Sequence, residues 1–202
     1  IADFNDDGLQ DFATASFNGE VSIRLNTGNR TFATSQTISL GSYARGISAG
    51  DFNGDGYPDL AVAVYNSDNI SILLNNGAGS FSAGAPISVA DVPLKLDVAD
   101  IDGDGNNDVV VVHSNSSMMT ILRNDGLGSF SITTSATIAA APHSIAMGDL
   151  NNDGDIDIAI ANSFAAVDLW MNDGTGVYTS TASVSVGIII LDVRGRDMNG
   201  DG

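Results

Sequence analysis

Cysteine is absent from the 202 residues, so no disulfide supports the fold and thiols reveal nothing of redox compartment. Lysine and glutamate occur once each, as Lys95 and Glu20. With six scattered arginines and a net charge of −18, the chain has no basic patch to hold phosphate backbones. Nucleic-acid binding is excluded on that ground, and adhesion to an anionic membrane surface is disfavoured. Long apolar runs are missing too. The longest, residues 186–193, is interrupted by Gly187 and Asp192 and is far too short to be inserted across a bilayer. A hydrophobic content of 43% nevertheless rules out a disordered acidic tail. Catalytic signatures are equally scarce. The only histidines, His113 and His143, fall in no zinc-ligand spacing, and no Gly-x-Ser-x-Gly elbow occurs. His113 ends a run of valines, and His143 stands where equivalent segments carry Arg45 and Leu94, so both read as packing or rim residues.

What the chain does hold is a repeated acidic turn. The pattern Asp-x-(Asn/Asp)-x-Asp-Gly-x-x-Asp occurs four times, at spacings of 48 or 49 residues. Its positions 1, 3, 5 and 9 are Asp3, Asn5, Asp7 and Asp11 in the first copy and Asp51, Asn53, Asp55 and Asp59 in the second. The third copy has Asp100, Asp102, Asp104 and Asp108, and the fourth Asp149, Asn151, Asp153 and Asp157. A fifth, with Asp197, Asn199 and Asp201, stops before its ninth position.

Oxygen side chains so spaced converge only if the backbone turns sharply, which the glycine at position 6 permits by tolerating positive φ. Carboxylates crowded into one small loop repel each other unless a cation sits among them. All the ligands are oxygens, which selects a hard ion. Calcium fits best, since it accepts about six to eight oxygens in flexible geometry, whereas magnesium demands a tight octahedron. A backbone carbonyl from position 7 (Leu9, Tyr57, Asn106, Asp155) is expected to complete each site. An EF-hand is excluded, because position 12 holds Thr14, Val62, Val111 and Ile160 instead of glutamate. Any single copy could be an Asp/Asn/Gly turn that binds nothing; four copies in register favour the metal, with about four calcium sites expected. Fifteen of the 24 aspartates occupy motif positions, so the acidity is largely local to these loops.

Each loop runs into a short apolar stretch, such as Leu60–Val64 or Val109–Val112, that reads as a buried strand. An alternating strand follows: Val21, Ile23 and Leu25 share one face, as do Ile70, Ile72 and Leu74, or Val167, Leu169 and Met171. Tight turns come next, beginning at Asn26, Asn75, Asn124 and Asn172 and ending in an aromatic, Phe32, Phe81, Phe130 or Tyr178. A looser strand and a fourth apolar segment lead back to the next acidic loop. Four antiparallel strands and no helix per period of about 40 to 50 residues is the signature of propeller blades, which must stack because one blade cannot cover its own faces. The predicted fold is therefore all-β: a β-propeller of four-stranded blades, with a calcium loop in each. One repeat domain spans 1–202, with repeats at about 3–50, 51–99, 100–148 and 149–196 and a partial one at 197–202.

These acidic loops and Asn-x-Gly-x-Gly-x-Phe-like turns together resemble the FG-GAP/VCBS repeat family, which includes the integrin α-subunit head, over essentially the whole chain. The resemblance implies a propeller, usually of seven blades, with calcium in several blade loops and a role in extracellular adhesion or ligand binding without catalysis. Asp6 and Asn29 depart from the usual glycines, and the truncated fifth loop lacks one ligand.

The expected function is thus a non-enzymatic, calcium-binding extracellular propeller that binds a protein or glycan. Alternatives are a structural subunit self-assembling through blade edges, or the scaffold part of a larger secreted enzyme. Such loops fill at roughly 0.1 to 1 mM calcium, a level typical of extracellular modules. Residues 1–8 and 195–202 are equivalent stretches of successive periods, which predicts a piece of a longer protein. Trp170 and Tyr65 could stack on a sugar, although single aromatics at strand positions more often serve the core. Sequons at Asn29, Asn69 and Asn115 all fall in predicted turns.

Overall fold

The computed structural model describes residues 1–138, 141–187 and 192–194. The fifth acidic copy, Asp197, Asn199 and Asp201, lies outside these described residues.

Four antiparallel sheets follow one another along the chain. The first contains β1 (Phe12–Ala15), β2 (Glu20–Asn26) and β3 (Phe32–Ser39). In the second, β4 (Ala44–Gly50), β5 (Asp59–Val64) and β6 (Asn69–Asn75) are edged by two short pieces, β7 (Phe81–Ala83) and β8 (Ile87–Ser88), both paired to β6. The third is β9 (Pro93–Ala99), β10 (Asp108–His113), β11 (Met118–Asn124) and β12 (Phe130–Thr137). The fourth is β13 (Pro142–Gly148), β14 (Asp157–Asn162), β15 (Ala166–Asn172) and β16 (Tyr178–Ser185). Among the described residues the only helical element is a three-residue 3₁₀ turn, Tyr65–Ser67. The second, third and fourth acidic loops join the first two strands of their sheets, whereas the first loop precedes β1 of its three-stranded sheet. The sheets are therefore offset by one strand from a period counted at the aspartates.

The second strands carry the fold. β5, β10 and β14 are buried along their whole length: β5 and β10 each lie between two neighbouring sheets, and β14 packs on the third. The pleat then divides each run. Leu60 and Val62 face the first sheet and join Val21, Ile23 and Phe4, while Ala61 and Ala63 face the third and join Val109 and Val111. Val110 and Val112 turn the other way, onto Ile145, Ile158 and Ile160 of the fourth sheet. Every buried Val, Leu or Ile contributes about 1.5 to 3 kcal/mol of transfer free energy, gained only when the next sheet docks. β6 differs from a half-solvated strand for the same reason: Ile70 and Ile72 pack toward the third sheet and Leu73 toward the first. The first strands approach so closely that Gly50 has no space for a side chain; a Cβ there would stand 2.6 Å from Val98. None of the three core clusters joins the first sheet to the last, so the sheets form a row that does not close on itself among the described residues.

Hairpin asparagines lock this stacking. Asn75 Nδ2 donates to Phe4 O of the preceding sheet's acidic loop at 2.9 Å, Asn124 Nδ2 to Phe52 O at 2.9 Å and Asn172 Nδ2 to Ile101 O at 2.8 Å. The second amide hydrogen goes to the asparagine's own loop, at Pro58 O, Asn107 O and Ile156 O, each 3.1 Å away. The aromatics that end these turns pack on the same joint. Phe81 meets Phe4 edge-on at 5.3 Å, and Phe130 meets Phe52 at 5.4 Å. In the first sheet Asn26 makes only the local bond, to Gln10 O at 3.1 Å, and is half-buried.

Two outcomes follow for stability. Asn124→Ala leaves the carbonyls of Phe52 and Asn107 without this donor, and chemical denaturation is expected to show a loss of about 2 to 3 kcal/mol, against less than about 1 for Asn26→Ala. His113 is fully buried with Nε2 against Thr120 Oγ1 at 2.9 Å, and burial holds its pKa below the ordinary 6.5. The unfolded chain therefore takes up a proton near pH 6.5 that the folded chain refuses, and this contribution to stability is lost as pH falls. His113→Gln should flatten the decline in denaturation midpoint between pH 7 and 5; an unchanged slope would contradict the assignment.

Candidate metal centres

The position-1 carboxylate shapes each acidic loop. Its Oδ2 accepts the N–H of the position-6 glycine: Asp3 from Gly8 at 2.7 Å, Asp51 from Gly56 at 2.8 Å, Asp100 from Gly105 at 2.9 Å and Asp149 from Gly154 at 2.9 Å. Those glycines sit at φ of 82°, 85°, 90° and 94°, where an L side chain would be strained. Position 5 accepts the N–H of position 7, from Leu9, Tyr57, Asn106 and Asp155, at 2.8 to 2.9 Å. Asparagine at position 3 donates to the position-5 carboxylate: Asn5 to Asp7 at 3.0 Å, Asn53 to Asp55 at 2.9 Å and Asn151 to Asp153 at 2.7 Å.

The ninth position does more than a ligand reading implies. Asp11, Asp59, Asp108 and Asp157 are all buried, and each bridges two backbone N–H groups. One comes from loop position 2: Phe4 at 2.8 Å, Phe52 at 3.0 Å, Ile101 at 3.3 Å and Leu150 at 3.0 Å. The other comes from the hairpin asparagine: Asn26 and Asn75 at 2.7 Å, Asn124 at 2.8 Å and Asn172 at 2.9 Å. Loop, strand and hairpin are thereby stapled at one carboxylate. Burial pushes the carboxyls of Asp59 and Asp108 up to about 6; the N–H bonds oppose this, and neighbouring carboxylates of the same loops add to it.

Acidic side chains converge most closely in the third loop, where oxygens of Asp100, Asp102 and Asp108 all lie within 4.8 Å of one another. Asp104, the fourth predicted ligand, is not in that set. Elsewhere among the described residues no three acids gather so closely, because position 3 is asparagine. In the first loop Asn5 Oδ1 is buried without a hydrogen-bond partner. Of the position-7 residues, Tyr57, Asn106 and Asp155 lie over the hairpin glycines Gly77, Gly126 and Gly174, where a Cβ would collide with them, and Leu9 is exposed. In Asp155 burial comes first, and then Asp153, Asp149, Asp157 and Asp173, in raising the carboxyl above its usual range. Oxygen-only donors, an orphaned buried amide oxygen and carboxylates gathered in one short loop fit a hard divalent cation.

Sequence reasoning took the hairpin asparagines for turn formers alone. Their joining role depends on a carbonyl some 71 or 72 residues away, although their fixed position in every period was a signal. It also passed over Arg123, which pairs with Asp102 and bonds Thr175 O in the next sheet's hairpin. The remaining candidates are placed as follows. Trp170 packs into the core between the third and fourth sheets. Tyr65 lies 5.2 Å from Tyr43, which stacks on the exposed Phe17 at 4.6 Å, and Arg45 sits over the Tyr65 ring. His143 Nε2 meets Ser163 Oγ at 2.6 Å. Asn29 and Asn115 occupy turns, but Asn69 opens β6 instead of lying in a turn, because its backbone pairs with Val64 and Ser88. A cavity of about 660 Å³ runs beside the first strands, lined by Ser48, Lys95, Asp97, Ser144, Asp192 and Arg194.

Comparison with known proteins agrees with this architecture. No curated protein sequence matches the chain. Among solved structures, a protein from Lactobacillus plantarum superposes with a TM-score of 0.68 at 18% identity over 86% of this chain and 53% of its own. Saccharomyces cerevisiae Sqt1 gives 0.70 at 13% identity over 92% and 51%. BBS1N, crystallised in complex with ARL6DN, gives 0.67 at 17% identity over 95% and 54%. The chain thus spans about half the length of each, and at such identities the likeness shows the fold alone: a β-propeller-like succession of antiparallel sheets. The sequence profile of the FG-GAP-like repeat matches residues 3–62, 51–111, 100–160 and 149–202, each match running from one acidic loop through the next. By the residues that build its four loops and by that profile, the chain belongs to the FG-GAP-like repeat family.

Proposed function

We propose that this chain is a calcium-stabilised, non-catalytic binding module of an extracellular propeller. The observation that carries the reading is the oxygen-only loop pattern that recurs four times in register, with Asn5 Oδ1 buried and unpartnered in its first copy. In each loop positions 1, 3 and 5 would hold the ion, together with the stapled position-9 carboxylate. Calcium supplies positive charge among these oxygens and nothing else. Fixing the loop also fixes the carbonyl to which the next sheet's asparagine donates, so the ion supports stacking. Loops of this composition fill at roughly 0.1 to 1 mM calcium, which suits a secreted or cell-surface setting.

The ends of the sheets opposite the acidic loops are free to contact a ligand. There Phe17, Tyr43 and Tyr65 form a ladder of rings beside Arg45, with Phe17 69% exposed. Such a surface supports binding of a protein or glycan, since exposed stacked aromatics offer area at low entropic cost.

Thermal denaturation in about 2 mM calcium is expected to exceed that in chelator by several degrees, as each site filled at about 2- to 20-fold over Kd adds roughly 0.6 to 1.8 kcal/mol. Asp55→Ala, which removes an exposed carboxylate outside the position-9 staple, should cost one calorimetric calcium site and leave the chelator melting point nearly unchanged. Identical melting with and without calcium would sink the calcium reading. On protein and glycan arrays, Phe17→Ala combined with Tyr43→Ala should weaken binding at least tenfold; an unaltered profile would place the ligand elsewhere.

A further inference from the structure

The four repeats act as controls for one another, and the third departs from the rest at two places that touch. Position 3 is Asn5, Asn53 and Asn151 in the other loops but Asp102 here. The residue before the hairpin asparagine is Leu25, Leu74 and Met171 elsewhere but Arg123 here. The two exceptions lie 21 residues apart and meet: Arg123 Nη1 pairs with Asp102 Oδ2, and Nη2 donates to Thr175 O in the hairpin of the fourth sheet. Both side chains are largely withdrawn from water, at 27% and 15% exposure.

Each departure explains the other. The asparagines at position 3 donate to the position-5 carboxylate, whereas Asp102 carries no such donor and adds a fourth carboxylate at the ligand positions. Uncompensated, that charge would sit against Asp100 and Asp108 within 4.8 Å. One guanidinium returns the ligand positions to three net negative charges, the number found in the other loops. The site Arg123 occupies is already a sheet-to-sheet contact. Leu25 and Leu74 lie against Gly79 and Gly128 of the following hairpins, and the Arg123 guanidinium takes the same place over Gly176. The arginine therefore keeps the packing role and adds charge-assisted bonds on both sides of the joint.

We propose that Arg123 is the resident cation of the third loop, holding that loop and the joint between the third and fourth sheets without calcium and lowering the loop's calcium affinity below that of its neighbours. The affinity comparison rests on the calcium reading above, whereas the strap between sheets does not. An ion entering this loop competes with the guanidinium for Asp102, so calcium binding here loosens the strap. Among the described residues the other loops have no such opposition.

Three variants of the intact chain test this: Arg123→Met, which installs the residue of the fourth repeat; Asp102→Asn, which installs the residue of the other loops; and the double variant. In chelator, Arg123→Met should lower the melting temperature by about 2 to 4 °C or more, and the double variant should recover most of that loss, because the unpaired carboxylate has gone. In calcium calorimetry, Arg123→Met should strengthen one site at least tenfold over the parent chain. A chelator melt unchanged by Arg123→Met, or a double variant no better than the single, overturns the strap. Site affinities unaltered by Arg123→Met overturn the competition. A parent chain and variants that bind no calcium reject the calcium reading, and the chelator melts still decide the role of Arg123.

Discussion

The buried carboxylate at the mouth of each second strand is the point from which this structure is assembled. Asp59 takes one N–H from Phe52 and one from Asn75, which fixes the acidic loop and the hairpin turn in a single frame. That frame aims the Asn75 amide at the Phe4 carbonyl of the preceding sheet. An ionised carboxylate is costly to bury unless its lone pairs are used, and two short charge-assisted bonds use them. The staple, the loop and the joint between sheets therefore stand or fall together.

Hydrophobic burial works through the same geometry. A lone sheet with a second strand such as Val109–Val112 would expose apolar side chains on both faces, so it gains stability only by stacking. The asparagine bonds then set the register of the stack, which apolar contact alone would leave loose. Phe81 on Phe4 and Phe130 on Phe52 close the joint at the loop end, and the absence of side chains at Gly46 and Gly50 lets the first strands approach at the inner edge. Leu150, the equivalent of Phe4 and Phe52 in the last loop, is 46% exposed, since no hairpin among the described residues covers it.

Functional chemistry is layered on this frame. Loop ends of the sheets concentrate carboxylates where a cation can neutralise them, while the opposite ends carry exposed rings. Separating the two lets the connecting turns vary without disturbing the oxygens. It also explains why identical loop patterns need not behave identically. The third loop shares its spacing with the others, yet its balance of charge includes a guanidinium from a different strand.

The period of 48 or 49 residues, the positive-φ glycines and the Val- and Ala-rich second strands were legible in the chain itself, because spacing along a covalent backbone fixes which residues share a loop or a face. The four-stranded antiparallel sheets and the buried second strands follow from these. Nothing in the linear order showed that Asn124 reaches Phe52, that Asp108 is stapled before any ion arrives, or that Arg123 answers Asp102. Those partners lie 16 to 72 residues apart and belong to different loops, strands or sheets. Their meeting was decided only when stacking against water brought the sheets together, since hydrogen bonds and ion pairs act over a few ångströms and sequence separation carries no such distance.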